Sequence, residues 1–504
     1  MLLIRRLYLL PALILTCAIY FLFQRFLRPP SAPLPSIPIG DSGHLSWHKR
    51  PERYPVTSFL PLPTGAAATI PRIQHKDFVA ETVLGRNRQL ERREVVKATF
   101  LRSWNAYKTY AWGKDEVSPV SKTWRSSFGG WGATLIDTMD TLWIMQLKDD
   151  FEQCVTMVRQ MDFSTNEEDI LNVFETTIRY LGGLLAAHDL SHGQHPVLLE
   201  KALELGEILY VAFDTPHRMP VTRWQWAASA RGDEVFPSRT TLLAEFGSLT
   251  LEFTRLAQLT GEVKYFDAVQ RITNELQRMQ NLTALPGLWP VIVDLAEWPS
   301  SAIYTHFTLG GMADSTYEYL PKEYLMLSGK GEEGRQFRNM YKDIIEMAKK
   351  HLLFRPMTDK GEDVLLSGNV AVDFEGNITL DPQGQHLACF AGGMVALGAK
   401  LFDMPDDLDV AKRLVAGCVW AYRAMPTGLM PETFHTIPCH IGASKAEPAE
   451  CEWSEPKWYQ AIRNRHHLET QSSTPTQQEL TEFARARRLP PGFSDVGDRR
   501  YILR

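Results

Sequence analysis

Two pairs of charged residues stand where helices are predicted to begin, among glycines and aromatic residues. Glu175 and Arg179 are four residues apart, so a helix places both on one face. Asp314 and Glu318 have the same spacing, and two like charges one turn apart destabilise a helix unless both face water or a site needs them. A surface ion pair and a solvated face are the alternatives for these two pairs.

Other helix starts carry groups of related chemistry. His386 opens a glycine-rich segment, although a lone histidine there is more often structural than catalytic, and Glu432 follows a Gly-Pro turn where most glutamates are simply exposed. Asp137 and Asp140 fit capping or network roles. Glycoside cleavage needs one carboxyl group to protonate the leaving oxygen and a second to activate water or attack the sugar. Acid-bearing helix starts and an aromatic content of 11% therefore fit this chemistry.

Helical periodicity dominates the chain from about residue 86. The clearest case is Ser238–Gly261, where apolar residues recur at steps of three and four and a glycine follows as a cap. The same pattern predicts further helices at Gln89–Tyr110, Gly132–Leu147, Asn172–Ser191, Pro196–Phe213, Val263–Gln280, Gly310–Ser328, Arg335–Leu353, His386–Lys400 and Leu408–Met425. Strand patterns are few, with short hairpins predicted at Leu288–Leu295 and Val370–Leu380. Many helices joined by short loops predict an all-α barrel or toroid rather than a doubly wound sheet.

The remaining composition divides the chain. Residues 29–85 are rich in proline and small residues, which predicts an extended stem without order of its own. Residues 86–504 form the predicted helical domain, interrupted by an inserted surface region at about 436–498 with helices near Pro456–His467 and Gln477–Arg488. The net charge is −5 and no long basic run occurs, so nucleic acid is not an expected partner.

The first residues and two sequons bear on the compartment. Leu7–Phe23 is an apolar run between arginines without a small-residue cleavage site after it, which predicts an uncleaved signal anchor over residues 1–28 rather than a cleaved signal peptide. Asn281 and Asn377 each begin an Asn-x-Thr sequon, an acceptor of N-linked glycans if the body is lumenal.

The cysteines fit an oxidising compartment. Cys439 and Cys451 lie close together in a proline-rich stretch, and Cys389 and Cys418 lie on successive helical segments. Two bridges would leave Cys154 over. The alternative is a set of reduced, buried cysteines in a cytosolic protein.

Six motifs in this order resemble glycoside hydrolase family 47, the class I α-1,2-mannosidases of the secretory pathway. They are ATLIDTMDTLWIMQL (Ala133–Leu147), NVFETTIRYLGGLL (Asn172–Leu185), LLAEFGSLTLEF (Leu242–Phe253), LGGMADSTYEYLPK (Leu309–Lys322), HLACFAGGM (His386–Met394) and GLMPETF (Gly428–Phe434). The resemblance extends from about Arg86 to Arg504. The combination is specific, although each motif alone would be a moderate signal.

The resemblance implies an (αα)7 barrel whose acids line one open end, and an inverting mechanism with carboxyl groups ~6.5–9.5 Å apart. Glu175 matches the family's general acid and Asp314 a second catalytic acid. The predicted catalytic residues are Glu175, Asp314 and Glu432, and the predicted substrate-binding residues are Arg179, Glu318 and His386. The resemblance also implies a disulfide between Cys389 and Cys418.

The implied substrate is a high-mannose N-glycan on a glycoprotein, the implied cofactor is calcium, and no protein partner is evident. With the signal anchor, the resemblance implies a single-pass type II membrane protein of the endoplasmic reticulum or Golgi whose body is lumenal; a secreted protein is the alternative.

One part of the family pattern is not found in these 504 residues. In the family, a segment like Tyr501–Arg504 continues into Pro-Glu-x-x-Glu-Ser, which supplies the base that activates water, and a later threonine binds the calcium. We therefore expect a C-terminally truncated barrel without a metal ligand of its own and with little mannosidase activity. Two functions stay open: hydrolysis of terminal α-1,2-linked mannose, or a non-catalytic mannose-binding or glycoprotein quality-control role on the same fold.

Overall fold

The computed structural model describes residues 45–297, 304–444, 448–469 and 475–497. The predicted signal anchor lies outside these residues. Within them, every helix is too short or too polar to cross a lipid bilayer. The described part is built from helices, as predicted, with short strands between them.

After a long first helix, α1 (Val83–Tyr110), five helical hairpins follow one another in the described chain. They are formed by α2 (Ala133–Asp137) and α3 (Met139–Ile144) with α4 (Lys148–Gln160); α5 (Val173–Thr176), a π-helical turn (Thr177–Leu181) and α6 (Gly182–Leu190) with α7 (Pro196–Tyr210); α9 (Leu243–Gly247) and α10 (Thr250–Thr260) with α11 (Val263–Met279); α12 (Asp314–Met326) with α13 (Gly331–Met347); and α14 (Phe390–Leu401) with α15 (Asp407–Ala424). The short helix α8 (Trp226–Arg231) precedes the third hairpin.

The first arms of the hairpins pack against one another in chain order: α3 on α6, α6 on α10, α10 on α12, and α12 on α14. Each second arm returns along the outside of its own hairpin, so the helices form an inner and an outer layer. In α11, buried apolar residues recur every three to four positions, and Tyr265, Ile272 and Leu276 are all at most 2% exposed. This is the arrangement of an (αα) barrel.

Short strands stand at one end of the hairpins. Their bounds are β1 (Glu116–Ser118), β2 (Thr123–Arg125), β3 (Leu171–Asn172), β4 (Arg223–Trp224), β5 (Thr241–Leu242), β6 (Ile292–Val293), β7 (His306–Thr308), β8 (Leu353–Pro356), β9 (Leu366–Ser367), β10 (Asn369–Val372), β11 (Ile378–Asp381), β12 (Gln383–Gln385), β13 (Thr433–Thr436), β14 (Pro438–Ile441) and β15 (Phe493–Asp495). Four of them, β3, β5, β7 and β12, come shortly before the inner arm of a hairpin. Each pairs antiparallel with a strand from later in the chain: β4, β6, β10 and β13, respectively.

The strands explain two differences from the sequence predictions. The predicted helix Ser238–Gly261 is wrong as one continuous element, because Thr241 and Leu242 form β5 and Ser248 leaves the helical conformation between α9 and α10. The hairpin predicted at Val370–Leu380 is confirmed, since β10 pairs with β11. The hairpin predicted at Leu288–Leu295 is wrong, because β6 pairs with the distant β5.

The region predicted as a surface insertion, about 436–498, contains a core of its own. Two helices lie close to their predicted positions, α16 (Glu455–Arg465) and α17 (Gln477–Ala486). Trp458 donates its indole N–H to the carbonyl of Phe493 over 2.8 Å, and the Phe493 ring stacks on Trp420 of α15 at 4.7 Å. Aromatic burial anchors this region to the fifth hairpin, so its description as a surface segment is incomplete.

Residues 45–70, from the predicted stem, run across the outside of the hairpins; we call them the strap. They have almost no regular structure, as predicted, but they are not free of the helical body. The strap attaches through Trp47 to Ser164, Lys49 to Glu207, Tyr54 to Asp214, Leu60 to Asp267 and Ala68 to Ser328. Asp214 and Asp267 accept backbone N–H groups of the strap at 2.8 Å, and Leu45, Trp47 and Leu62 pack against the core, so polar bonds and apolar contacts together hold the strap in place.

Candidate active site

The inner arms of the hairpins begin at the same end of the barrel. We call this end the mouth, formed by residues 172–179, 241–247, 308–318, 385–390 and 432. The helix α9 contacts both α5 and α12, and α12 contacts α14, so the strand-to-helix junctions are neighbours in chain order. In each junction, the residues just before the helix are paired in a strand, which fixes their position. This pairing sets the direction in which the side chains of the first helical turn project.

Glu175 lies in the first turn of α5, where the side chain of Asn172 accepts the backbone N–H of Glu175 over 3.2 Å. Arg179 Nε donates to Glu175 Oε2 at 2.7 Å, and its Nη1 lies 3.6 Å from Asp137 Oδ2. The guanidinium also stands 4.5 Å from the ring centre of Phe128. One arginine therefore joins two carboxylates, and the spacing of Glu175 and Arg179 does produce a pair.

Asp137 belongs to this cluster, whereas the sequence alone did not decide between a capping and a network role for it. Burial raises the pKa of Asp137, while the charge of Arg179 acts in the opposite direction. Asp140, three residues on, accepts the backbone N–H and the hydroxyl of Thr141 and adds a further negative charge.

Asp314 and Glu318 differ in their surroundings, although they share one face of α12. Burial raises the pKa of Asp314, and the negative charge of Glu318 adds to this effect. Asp314 Oδ1 accepts the backbone N–H of Ser315 at 2.9 Å, whereas Glu318 Oε1 receives Lys322 Nζ at 2.6 Å. The like-charge repulsion is thus relieved on one side by a lysine.

The glycine pair before Asp314 brings two junctions into contact. Gly311 donates its backbone N–H to Gln385 Oε1 at 2.9 Å, and a Cβ atom on Gly310 would lie 2.4 Å from that same oxygen. The next residue, Met312, has φ +77° and accepts the backbone N–H of Ala244 at 2.9 Å. The absence of a side chain at Gly310 therefore permits the close approach that the sequence suggested.

His386 and Glu432 lie together beside this junction. The backbone N–H of His386 donates to the carbonyl of Glu432 at 2.9 Å, next to the paired strands β12 and β13. His386 Nε2 lies 2.5 Å from the hydroxyl of Tyr422 on α15. Cys389 and Cys418 form the predicted disulfide, with Cα atoms 6.0 Å apart. Because Cys418 and Tyr422 are one turn apart, the disulfide and the hydrogen bond act as two neighbouring links between α15 and the His386 segment.

Glu245 is a mouth residue that the sequence analysis missed. It lies in the first turn of α9, directly after β5, and only 7% of its side chain is exposed. It forms an ion pair with Arg223 of β4, and Thr241 Oγ1 lies 3.5 Å from it. The sequence did contain a signal for it, namely an acidic residue in the middle of an apolar helical pattern. Acidic residues seldom lie on a buried helix face.

Contacts run around the mouth from Asp137 and Glu175 to His386 and Glu432 through the junctions already described. Within the described residues, no hydrogen bond or ion pair joins Glu175, Asp314 and Glu432 directly to one another. The structure therefore places the predicted residues at one end of the barrel, and their roles stay predictions. Chemically, the mouth presents carboxyl groups in unequal environments, as acid–base cleavage requires.

Nowhere in the described ranges do three or more His, Cys, Asp or Glu residues come together in a way that could hold a metal. Glu175, Glu245 and Glu318 each have an arginine or lysine partner instead.

The remaining predicted positions lie away from the mouth acids. The second disulfide, Cys439–Cys451, is present, and Cys154 is free and buried, as expected. Asn281 is exposed, but Thr283 of its sequon is only 7% exposed and donates its hydroxyl to the carbonyls of Leu285 and Leu288.

An (αα) barrel with acids around one mouth defines a class of carbohydrate-active protein, and comparison with known proteins agrees. The chain belongs to glycosyl hydrolase family 47, whose profile matches residues 99–504. It is 36% identical over 353 residues to the endoplasmic reticulum mannosyl-oligosaccharide 1,2-alpha-mannosidase of Rattus norvegicus, a match that covers 68% of this chain and 50% of the relative.

Two other proteins are similar. Mannosyl-oligosaccharide 1,2-alpha-mannosidase IB of Mus musculus is 34% identical over 364 residues, covering 68% of this chain and 52% of the relative. The structure of an alpha-1,2-mannosidase from Trichoderma reesei superimposes with a TM-score of 0.61 and 30% identity, covering 71% of this chain and 74% of that one. The chain thus spans about half the length of the curated relatives it matches.

Proposed function

We propose that this protein hydrolyses terminal α-1,2-linked mannose of N-linked high-mannose oligosaccharides, with inversion at the anomeric carbon. The observation that carries the proposal is the set of carboxyl groups in unequal environments at the mouth of a family 47 barrel. The relatives named above are mannosyl-oligosaccharide 1,2-alpha-mannosidases, which supports the same substrate class for this chain.

The reaction needs a proton for the leaving oxygen and a carboxylate that activates water. The family resemblance implies Glu175 as the proton donor. Asp314 is the alternative, because burial raises its pKa, whereas Glu175 contacts the guanidinium of Arg179 at 2.7 Å. In either assignment, we propose that Glu432 is a further catalytic residue and that Arg179, Glu318 and His386 bind the sugar.

The cofactor and the cellular compartment are part of the same proposal. Calcium is the cofactor that we expect from the family resemblance. We place the body in the lumen of the endoplasmic reticulum or Golgi, held by the anchor at residues 1–28, with a secreted form as the alternative. Two disulfides support an oxidising compartment.

The test uses the full chain, expressed in a eukaryotic secretory host and assayed with and without calcium. In line with the little activity expected from the sequence, the expected result is slow release of mannose from α-1,2-mannobiose and a high-mannose oligosaccharide, and no release from β-linked mannosides. Binding of mannobiose without release would instead support the non-catalytic mannose-binding alternative. Neither binding nor release would contradict both functions.

The proton donor is identified with a second substrate, α-mannosyl fluoride, whose leaving group needs no protonation. A variant that lacks only the acid should lose cleavage of mannobiose and keep cleavage of the fluoride, whereas loss of the base abolishes both. Glu175→Gln and Asp314→Asn are therefore compared on the two substrates. If both variants lose both substrates equally, neither residue is the proton donor.

A further inference from the structure

The sequon at Asn377 lies in a hairpin turn with an unusual neighbour. The turn connects β10 to β11 over residues 373–377, and its backbone is closed by hydrogen bonds between Asp373 and Asn377 at 3.1 Å and between Gly376 and Asp373 at 3.1 Å. Gly376 has φ +84°, as a residue at this position of a bulged turn requires. The tip of the turn is Phe374, whose relative exposure is 105%, so its ring contacts nothing in the described protein.

The amide of Asn377 contacts the two residues on either side of this phenylalanine. Asn377 Nδ2 donates to Asp373 Oδ2 at 2.8 Å and lies 3.3 Å from Glu375 Oε2. Asp373 and Glu375 are the two residues that flank Phe374. Any group attached to Nδ2 therefore starts within the same five-residue turn as the exposed ring.

We propose that Asn377 carries an N-linked glycan and that Phe374 binds the apolar face of its first N-acetylglucosamine. This proposal rests on the lumenal placement of the body given above, and goes beyond it by assigning a sugar-binding role to Phe374. The C–H face of a pyranose packs on an aromatic ring much as an aliphatic side chain does, and removes the ring from water. The attached sugar is a partner that is always present at high local concentration, so it loses little entropy on binding.

The attachment step leaves the turn intact. Nδ2 forms a bond to C1 of the sugar while the C1–O bond to a lipid-linked pyrophosphate donor breaks, and one of the two amide protons is lost. The remaining N–H can continue to donate to Asp373 Oδ2. The sequon threonine, Thr379, is exposed, in contrast to the buried Thr283, so the folded hairpin does not bury the hydroxyl of this acceptor site.

The experiment compares hydrogen exchange in the hairpin peptide, residues 369–381, of the full chain produced in a eukaryotic secretory host. One sample carries the glycan trimmed by an endoglycosidase to its first sugar, and the other is Asn377→Gln. The sugar should slow exchange roughly two- to tenfold when Phe374 is present, as expected for one aromatic contact. In Phe374→Ala the same sugar should have no effect, and Phe374→Tyr should restore it.

Phe236→Ala, another exposed phenylalanine, is the matched control and should leave the exchange of this peptide unchanged. Mass spectrometry of both sequons separates the two possible failures. Glycan at Asn377 with equal slowing in Phe374→Ala would overturn the role of Phe374 alone. Glycan at Asn281 but not at Asn377 would overturn the proposed site, and glycan at neither would overturn the lumenal placement together with it.

Discussion

The barrel holds two sets of carboxyl groups, one at the mouth and one between the inner helices, and the two sets have different hydrogen-bonding partners. Glu175 and Glu318 at the mouth have an arginine or a lysine within 2.7 Å. Glu252 of α10 and Glu323 of α12 lie inside, and their partners are hydroxyl groups. Tyr319 donates to Glu252 Oε1 at 2.9 Å, and Thr254 donates to Glu323 Oε1 at 2.6 Å.

Burial changes the protonation of the inner set. The second oxygen, Oε2, of both Glu252 and Glu323 is buried without a hydrogen-bond partner in the described protein. Burial raises the pKa of Glu252 to about 7 and that of Glu323 to about 8. A buried acid that no cation contacts thus tends to keep its proton. Glutamates on one ring of helices can therefore serve chemistry or packing, according to the residue that each of them contacts.

The largest expected effect comes from making the same substitution in both sets. Glu175→Gln should lower mannose release about 10²- to 10⁴-fold, because it removes a group that transfers a proton or binds the sugar, while the unfolding temperature changes little. Glu252→Gln is the matched control and should retain activity, since glutamine can still accept the hydroxyl of Tyr319. Steady-state rates and thermal unfolding measure both. Equal loss of activity in the two variants would break the comparison.

The next effect is on stability as a function of pH. The raised pKa values mean that the folded protein binds more protons at Glu252 and Glu323 than the unfolded chain does. Their stabilisation is complete below the unfolded pKa of about 4.5 and is lost as the pH rises through about 7 and about 8, at a cost on the order of 2–4 kcal/mol. Denaturant titrations of the wild type and of Glu323→Gln should show a decline with pH that is shallower in the variant. Parallel curves would show that these acids titrate normally.

A third prediction concerns the close contact between two mouth junctions. Gly310→Ala places a methyl group against Gln385, breaks its bond to Gly311, and should destabilise the fold by about 1–3 kcal/mol. Gly393→Ala, in α14, is the control, because no atom lies within 4 Å of its Cβ position. That substitution should be neutral or slightly stabilising. Urea unfolding of the two variants tests the difference, and equal stability would argue against the tight approach.

The smallest expected effect is at Tyr422, a positioning residue for His386. Tyr422→Phe removes one hydroxyl and should weaken mannobiose binding or kcat/KM about three- to tenfold, since a single hydrogen bond contributes about 0.5–1.5 kcal/mol. Tyr459→Phe, which removes a hydroxyl near Thr481, should change neither. The conservative variant His386→Gln should lose the difference between tyrosine and phenylalanine at position 422. An unchanged kcat/KM in Tyr422→Phe would leave the tyrosine a purely packing role.

Local patterns predicted the helices well, because spacing along one chain decides which side chains share a helical face. The pair of Glu175 and Arg179 is confirmed for this reason, whereas the Cys389–Cys418 disulfide was implied by the family resemblance and is also present. The break before α9 was not visible, since it depends on pairing between β5 and β6, which are about fifty residues apart. Glu245 was missed with it, because a continuous helix would have placed that acid on an apolar face.

The strap was misjudged for a related reason. Its composition predicts no core of its own. The sequence alone does not show that Asp214 and Asp267, which are far away along the chain, accept its backbone N–H groups. The inner acids were equally invisible, because Glu252 and Glu323 have ordinary helical positions and only the packing of α10 against α12 buries them.

If residues 1–28 anchor the body to a membrane as proposed, the strap also limits the distance between the helical body and the bilayer. Fully extended, residues 29–85 could span ~200 Å, whereas a strap bound to the hairpins from residue 45 onward leaves only residues 29–44 between the two, a length of at most ~55 Å. Under that placement the protein would reach glycans only in a thin layer next to the membrane. Removing the bonds of Asp214 and Asp267 to the strap would then widen that layer without touching the mouth.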